Sequence, residues 1–301
     1  MDEDRAHGVL LGLACGDALG RPVEFEPAAA IERRHGTLEE MVGHGTWNQP
    51  AGTVTDDTEQ ALCIGRSLVE RGAWEPADVA ERFVAWYDTD PFDIGNMTAR
   101  SLRELRQGTP WDEAGQRVWE RSQEGSNAGN GSVMRCPPLA VAFAADAELL
   151  ARASRESSRI THADPRCTVG CELLNRTVAG LLRGAGDPLA AALDTADDVP
   201  AELRDALEPV AAGEEPTELR TTGYVVHTLQ TALWDGLRAE SAEAAIVRAV
   251  NRGGDTDTVG AVAGAVAGAR FGASALPERW LAVLDGREEL ARLGTALVEE
   301  M

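Results

Sequence analysis

The chain has 301 residues, 44% of them hydrophobic and 5% aromatic, which suffices to bury a large core. Fifty acids against 28 bases give a net charge of −22, and every one of those bases is arginine. So acidic a surface repels phosphate backbones, and no basic patch with interleaved aromatics offsets it, so no stable nucleic-acid binding is expected. Acid excess without lysine also reads as a halophile signature, since roughly molar salt screens self-repulsion to within a few ångströms. A GC-rich genome accounts for the missing lysine but less well for the acids.

At the amino terminus "MDEDRAHGVLLGLACGDALG" opens acidic and its apolar run breaks at Asp17. It lacks the basic lead and unbroken apolar region of a signal peptide, so a cytoplasmic protein is expected. Apolar spacings of three and four predict a helix over 9–19. Glu24, in "GDALGRPVEF", follows a glycine-bounded helix end, where a solvated loop acid is the plain expectation. In "GTVTDDTEQA" Thr55 is a good N-cap for a helix that begins at Asp56-Asp57 and continues through Glu59 and Leu62. Acids in a first helical turn also suit the helix dipole, so this stretch alone reads as capping.

The helical period recurs over 61–68, 79–86, 139–150, 169–182, 225–237 and 244–250, and the alanine-rich stretch 189–212 favours helix by propensity. Glycine, asparagine and serine cluster in a loop at 124–132, and "GEEP" at 213–216 is an acidic turn. "GNGSVMR" at 129–135 offers closely spaced amides opening a helical run, which suits either an anion or a plain helix-helix turn. His162, ahead of a proline-started helix, has capping or packing as its commoner fate. The run 259–271 is too short to span a bilayer, so its Gly260, Gly264 and Gly268 let helices approach closely in a core. Cys15, Cys63, Cys136, Cys167 and Cys171 are odd in number and lie in apolar segments, which predicts reduced, buried thiols. With strands nearly absent and no repeat or linker, the reading is an all-α protein, one compact domain over 1–301, monomeric and without a membrane segment.

The stretch "NRGGDTDTVG" gathers Asp255, Thr256, Asp257 and Thr258 at one helix entrance, more oxygen than a helix start can use. Crowded carboxylates repel and partly protonate unless a cation holds them ionised. Carboxylate and hydroxyl donors suit magnesium or manganese, whereas the twelve-position loop of an EF-hand calcium site is missing. The adjacent acids at 56–57 supply a second half-site, so the two stretches together predict one metal centre.

In identity and order, "GLACGDALGRPVEF", "TDDT", "IGNMT", "GNGSVMR", "TH" and "NRGGDTDTVGAVAGA" resemble the ADP-ribosylglycohydrolase family over about residues 12–271. The resemblance implies an all-α orthogonal helical bundle with a dinuclear magnesium or manganese centre. It implies that Thr55, Asp56, Asp57, Asp255, Asp257 and Thr258 ligate two divalent metal ions. It implies that Gly95 and Asn96 line the distal ribose, and that Asn127, Gly129, Asn130, Gly131, Ser132 and Met134 hold the diphosphate and neighbouring ribose. His162 would also touch the ligand. Glu24, on a loop able to close over the site, would be the general acid or base, with Asp56, Asp57 and Asp257 completing the catalytic set. In the branch that reactivates nitrogenase reductase an aspartate stands at the place of Asn96. The implied activity is metal-dependent hydrolysis of the bond between C1″ of ADP-ribose and an acceptor, be it a protein side chain, a nucleobase or a small molecule. A non-catalytic ADP-ribose reader and a metal-dependent phosphohydrolase cleaving the diphosphate are the alternatives.

Overall fold

A computed structural model describes residues 2–123, 125 and 127–300, and among them the chain forms sixteen α-helices, three 3-10 turns and no sheet. The helices are α1 (Glu3–Gly20), α2 (Ala28–His35), α3 (Asp56–Arg71), α4 (Pro76–Tyr87), α5 (Asn96–Arg106), α6 (Trp111–Glu120), α7 (Pro138–Ala142) and α8 (Ala147–Arg159). They continue with α9 (Pro165–Leu182), α10 (Pro188–Thr195), α11 (Ala201–Ala212), α12 (Val225–Arg238), α13 (Ala242–Asn251), α14 (Thr256–Phe271), α15 (Glu278–Leu281) and α16 (Arg287–Glu300).

The centre is an antiparallel pair, α1 against α14. Both are apolar around nearly their whole circumference, as a helix must be when others cover it on every side. The contact is a row of small residues: Gly8 meets Gly268, Gly12 meets Gly264, Gly16 meets Gly260 and Gly20 meets Thr256. A Cβ at Gly12 or Gly16 would run into the facing carbonyl, so the glycine spacing sets how closely the backbones approach. Antiparallel pairing has a direct consequence for the site. It lays the carboxyl end of α1, with Asp17 and the following Glu24, beside the amino end of α14. Thr256 Oγ1 fastens the junction by donating to Gly20 O at 2.8 Å.

The other helices pack around this pair, and one hydrophobic cluster runs from Ala6 to Leu297. Two expected helices are each broken in two. The stretch 139–150 ends its first helix at Ala142, and a second begins after Asp146, whose side chain accepts from Leu149 N at 2.9 Å as an N-cap. The stretch 189–212 is interrupted at 196–200, where Asp198 takes positive φ and Pro200 opens α11. Residues 129–135 open no helix, because regular structure resumes only at Pro138. Within the glycine-rich loop expected at 124–132, Glu124 and Ser126 lie outside the described residues. All five cysteines are free and buried, and no helix among the described residues is long and apolar enough to cross a membrane.

Candidate active site and metal centre

The start of α3 is capped twice. Thr55 Oγ1 accepts from Asp57 N at 3.4 Å, and Asp17 reaches across from α1 to accept from Thr55 N at 3.0 Å, Thr58 N at 3.2 Å and Thr58 Oγ1 at 2.5 Å. The amides of Thr55, Asp57 and Thr58 are thus satisfied without the side chains of Asp56 and Asp57, whose carboxylates are left over from capping. At α14 the approach is made by Gly253 and Gly254. Both have positive φ, and Cβ atoms there would strike the backbone at Glu26 to Ala28 and at Thr221. Two bonds lock this turn to the segment after Glu24: Phe25 N donates to Gly254 O at 2.7 Å, and Gly254 N donates to Glu26 O at 2.8 Å.

Between the two helix starts opens a cavity of about 410 Å³, within the range of small-molecule sites. Its lining includes the oxygen donors Glu24, Asp56, Asp93, Asp255, Asp257 and Thr258, together with Gly95, Asn96, Gly129, Asn130, Gly131, Met134 and His162. Ligand atoms of Glu24, Asp255 and Asp257 all lie within 4.8 Å of one another. Thr258 Oγ1 donates to Asp57 Oδ1 at 3.4 Å, so the two half-sites touch directly. Asn130 Nδ2 donates to Asp255 Oδ2 at 2.7 Å and ties the glycine loop to the carboxylates. Among the anticipated residues, Thr55, Asp57, Asn127 and Ser132 are buried but do not line the cavity. Thr55 serves as the cap, and Ser132 accepts from Ser158 Oγ at 2.9 Å behind the loop.

Glu24 is no solvated loop acid. It is 5% exposed, Trp47 Nε1 donates to its Oε2 at 2.5 Å, and Thr46 Oγ1 donates to its carbonyl at 2.8 Å. The loop bearing Thr46 and Trp47 is clamped by the buried Arg21, which donates to the carbonyls of Thr53, His44, Gln49 and Pro50. The expected mobile glutamate is therefore anchored at both backbone and side chain. Its neighbour Phe25 holds φ of 65° and stands 66% exposed at the cavity rim.

Sequence reasoning missed four residues. Asp93 lines the cavity three positions before Asn96, so a carboxylate does stand on that wall. Asp17 was readable in principle as the lone charge inside an apolar helix. Trp47 and Arg21 act through contacts some 20 to 30 positions distant, which leave no local pattern.

The electrostatics follow from so many acids in one buried place. Burial first, then the charges of Asp93 and Asp255, raise Glu24 to about 8 against the opposing Trp47 hydrogen bond. Burial with Asp17 and Asp255 lifts Asp93 to about 7, and burial lifts Asp17 to about 6 in spite of its hydrogen bonds. Asp56, Asp57 and Asp257 are pushed well above the carboxylate range by burial and by their acidic neighbours. No arginine pairs with any of them among the described residues. Asp57 Oδ2 is buried with no hydrogen-bond partner among the described residues. A cluster of hard oxygen donors with an orphaned carboxylate oxygen fits a hard divalent cation.

A family model described as ADP-ribosylglycohydrolase matches residues 1–301. The ADP-ribosyl-[dinitrogen reductase] glycohydrolase of Rhodospirillum rubrum is 36% identical over 290 residues, 95% of this chain and 92% of that protein. The ADP-ribosylarginine hydrolase Tri1 of Pseudomonas putida (strain GB-1) is 34% identical over 310 residues, 98% of this chain and 78% of that one. A solved structure titled ADP-ribosylglycohydrolase-related protein complex superposes with a TM-score of 0.82 at 36% identity, covering 99% of this chain and 98% of that chain. The fold and site define a hydrolase of the all-α, acid-centred kind. The chain belongs to the ADP-ribosylglycohydrolase family, whose reaction class is hydrolysis of a glycosidic bond of ADP-ribose.

Proposed function

We propose that this enzyme cleaves the bond between C1″ of ADP-ribose and an acceptor with a planar cationic group, foremost an arginine side chain, and so reverses ADP-ribosylation. The observation that carries the reading is one cavity in which Glu24 and the carboxylates of two helix starts face the glycine loop and His162. Asp56, Asp57, Asp255, Asp257 and Thr258, with Thr55 behind them, would hold two divalent ions, magnesium or manganese. Such ions, when bound, polarise hydroxyls and lower the pKa of water.

The chain's own groups do the rest. Gly95 and Asn96 border the distal ribose, and the 127–134 loop receives the diphosphate. Glu24, held by Trp47 and raised to about 8, moves the proton as general acid or base. The C1″ to acceptor bond breaks, a bond from C1″ to a water oxygen forms, and the water's proton ends on the acceptor. The preference for a cationic acceptor is supported by the acids Glu24 and Asp93 and the exposed Phe25 ring at the same cavity, since a guanidinium stacks on an aromatic face. We further infer a monomeric, cytoplasmic, single-domain protein adapted to salt, on the strength of the single core, the absence of lysine and the net charge of −22. A melting temperature that stays flat from low to molar salt would rule out the salt adaptation.

The deciding experiment incubates the protein with arginine-, serine- and base-linked ADP-ribose, with and without magnesium, and identifies products. Free ADP-ribose, fastest from arginine, is expected. AMP would point to a phosphohydrolase and unchanged substrate to a reader.

A further inference from the structure

Arg135 closes the glycine loop and is completely buried, yet no carboxylate pairs with it among the described residues. Its guanidinium lies 4.4 Å from the centroid of the Phe83 ring, and its Nε has no hydrogen-bond partner among the described residues. A buried charge without a counter-ion costs several kcal/mol, so its remaining contacts call for a reason. It has two. Arg135 Nη1 donates to Gln60 Oε1, and Nη2 donates to Thr161 Oγ1 at 2.6 Å.

Each contact leads to a residue of the cavity. Gln60 Nε2 donates to Asp56 Oδ2 at 3.2 Å, and Thr161 Oγ1 lies 2.7 Å from His162 Nδ1. A guanidinium can only donate, so Gln60 Oε1 and Thr161 Oγ1 both accept from it. With its oxygen turned to Arg135, the Gln60 amide must present N–H to Asp56. With its oxygen accepting from Arg135, the Thr161 hydroxyl has its own proton free for His162 Nδ1. Among the described residues Nδ1 is the acceptor open to that proton, whereas an Nδ1–H would leave the buried hydroxyl with nothing to donate to; Nδ1 therefore accepts, and the ring proton sits on Nε2. That nitrogen faces the loop: Cβ atoms built on Gly129 and Gly131 would stand 3.3 and 3.2 Å from it. Burial and the Arg135 charge push His162 down to about 3, so the ring is neutral.

We propose that Arg135 is a positioning residue which, through Thr161, holds His162 as the neutral Nε2–H tautomer, a hydrogen-bond donor to an anionic or hydroxyl oxygen in the glycine loop, and through Gln60 orients Asp56. One cation in the core thereby sets both the anion-binding wall and the carboxylate wall. The nature of the oxygen rests on the ADP-ribose reading above; the tautomer does not.

The test is two-bond proton–nitrogen NMR on ligand-free protein carrying labelled histidine, with His162 assigned by His162→Gln, beside calorimetry with ADP-ribose. Wild type should show a protonated Nε2 and a bare Nδ1 from neutral to mildly acidic pH. Thr161→Val should mix the tautomers and weaken ADP-ribose about tenfold, the scale of one lost hydrogen bond to an anion. Arg135→Met should do the same, and Arg135→Lys, which still donates, should restore the Nε2–H signal. Should the Arg135 variants fail to fold, wild type and Thr161→Val decide the matter. A wild-type His162 that is protonated on Nδ1, or a Thr161→Val protein that keeps both the Nε2–H signal and the wild-type affinity, overturns the relay. Absence of ADP-ribose binding by wild type, with the Nε2–H signal present, counts against the proposed function and leaves the relay standing.

Discussion

The two helix starts that face the cavity carry nearly the same residues, Thr-Asp-Asp-Thr at 55–58 and Asp-Thr-Asp-Thr at 255–258, and use them differently. At α3 the capping falls to a neutral hydroxyl, Thr55, and to a carboxylate from another helix, Asp17. At α14 the N-cap residue is Asp255, whose side chain makes no capping bond; it turns to Asn130 while Asp257 accepts from Thr258 N at 2.8 Å. At α3 both acids of the first turn are thus relieved of capping, whereas at α14 Asp255 is relieved and Asp257 satisfies a first-turn amide while lining the cavity. The difference shows that an acid at a helix start can be told from a cap only by finding which other group satisfies the amides.

The comparison breaks most severely if a cavity-facing acid of either helix is neutralised. Asp56→Asn and Asp257→Asn should each lower turnover by on the order of 10³-fold or more, since charge that holds divalent metal is worth several kcal/mol in the transition state. Circular dichroism should show the helices intact. Full activity of protein stripped by EDTA, with metal content measured as nil, would end the metal reading altogether. Next in size is Glu24→Gln, which keeps shape and the Trp47 contact but loses basicity. It should lower kcat by roughly 10² to 10⁴ while ADP-ribose binding changes little, as calorimetry beside single-turnover kinetics would reveal.

Much of this was legible because it is local or periodic. The four-residue glycine spacing in 260–268 announced a close helix contact, and the Thr55 cap and the acid clusters stand in plain view of the sequence. What could not be read were contacts made across the chain. Arg21 grips carbonyls at 44–53, Trp47 thereby reaches Glu24, and Asp93 enters the cavity from a turn ahead of α5. The anchoring of Glu24 is invisible for the same reason: "GRPVEF" reads as a loop, and only the folded Arg21 clamp makes it rigid. The breaks near Asp146 and Pro200 were missed because alanine-rich composition fits helix on both sides of a cap.

A third, smaller effect concerns pH. The raised values mean that the folded, metal-free protein binds protons more tightly than the unfolded chain. Its stability is thus fully present below the ordinary carboxylate pKa and is lost as pH rises through the folded values, about 6 for Asp17, 7 for Asp93 and 8 for Glu24. The melting temperature of metal-free protein should fall by several degrees across that window, roughly 2–4 °C for each kcal/mol lost. Saturating magnesium should flatten the slope, because ions held by the ionised acids replace the protons. An identical slope with and without magnesium would mean that the titrating groups lie elsewhere.

The finest test sets cap against ligand within the same pair of helix starts. Thr55→Val removes the hydroxyl that accepts from Asp57 N, and loss of such a cap costs about 1 kcal/mol. Asp255→Asn removes no capping bond, and its side-chain oxygen can still accept from Asn130. It does remove one charge from a buried cluster with Glu24 and Asp257, whose mutual repulsion raises their proton affinity. Without metal, at a pH above the carboxylate window, Asp255→Asn should therefore melt at or above wild type, and Thr55→Val below it. With magnesium the order should change: wild type gains from binding, and Asp255→Asn gains little because a ligand charge is gone. The crossing is the diagnostic, since a structural acid would lower stability in both conditions. If metal-free Asp255→Asn is destabilised as much as Thr55→Val, then Asp255 is a cap like Thr55, and the division of labour between the two helix starts fails.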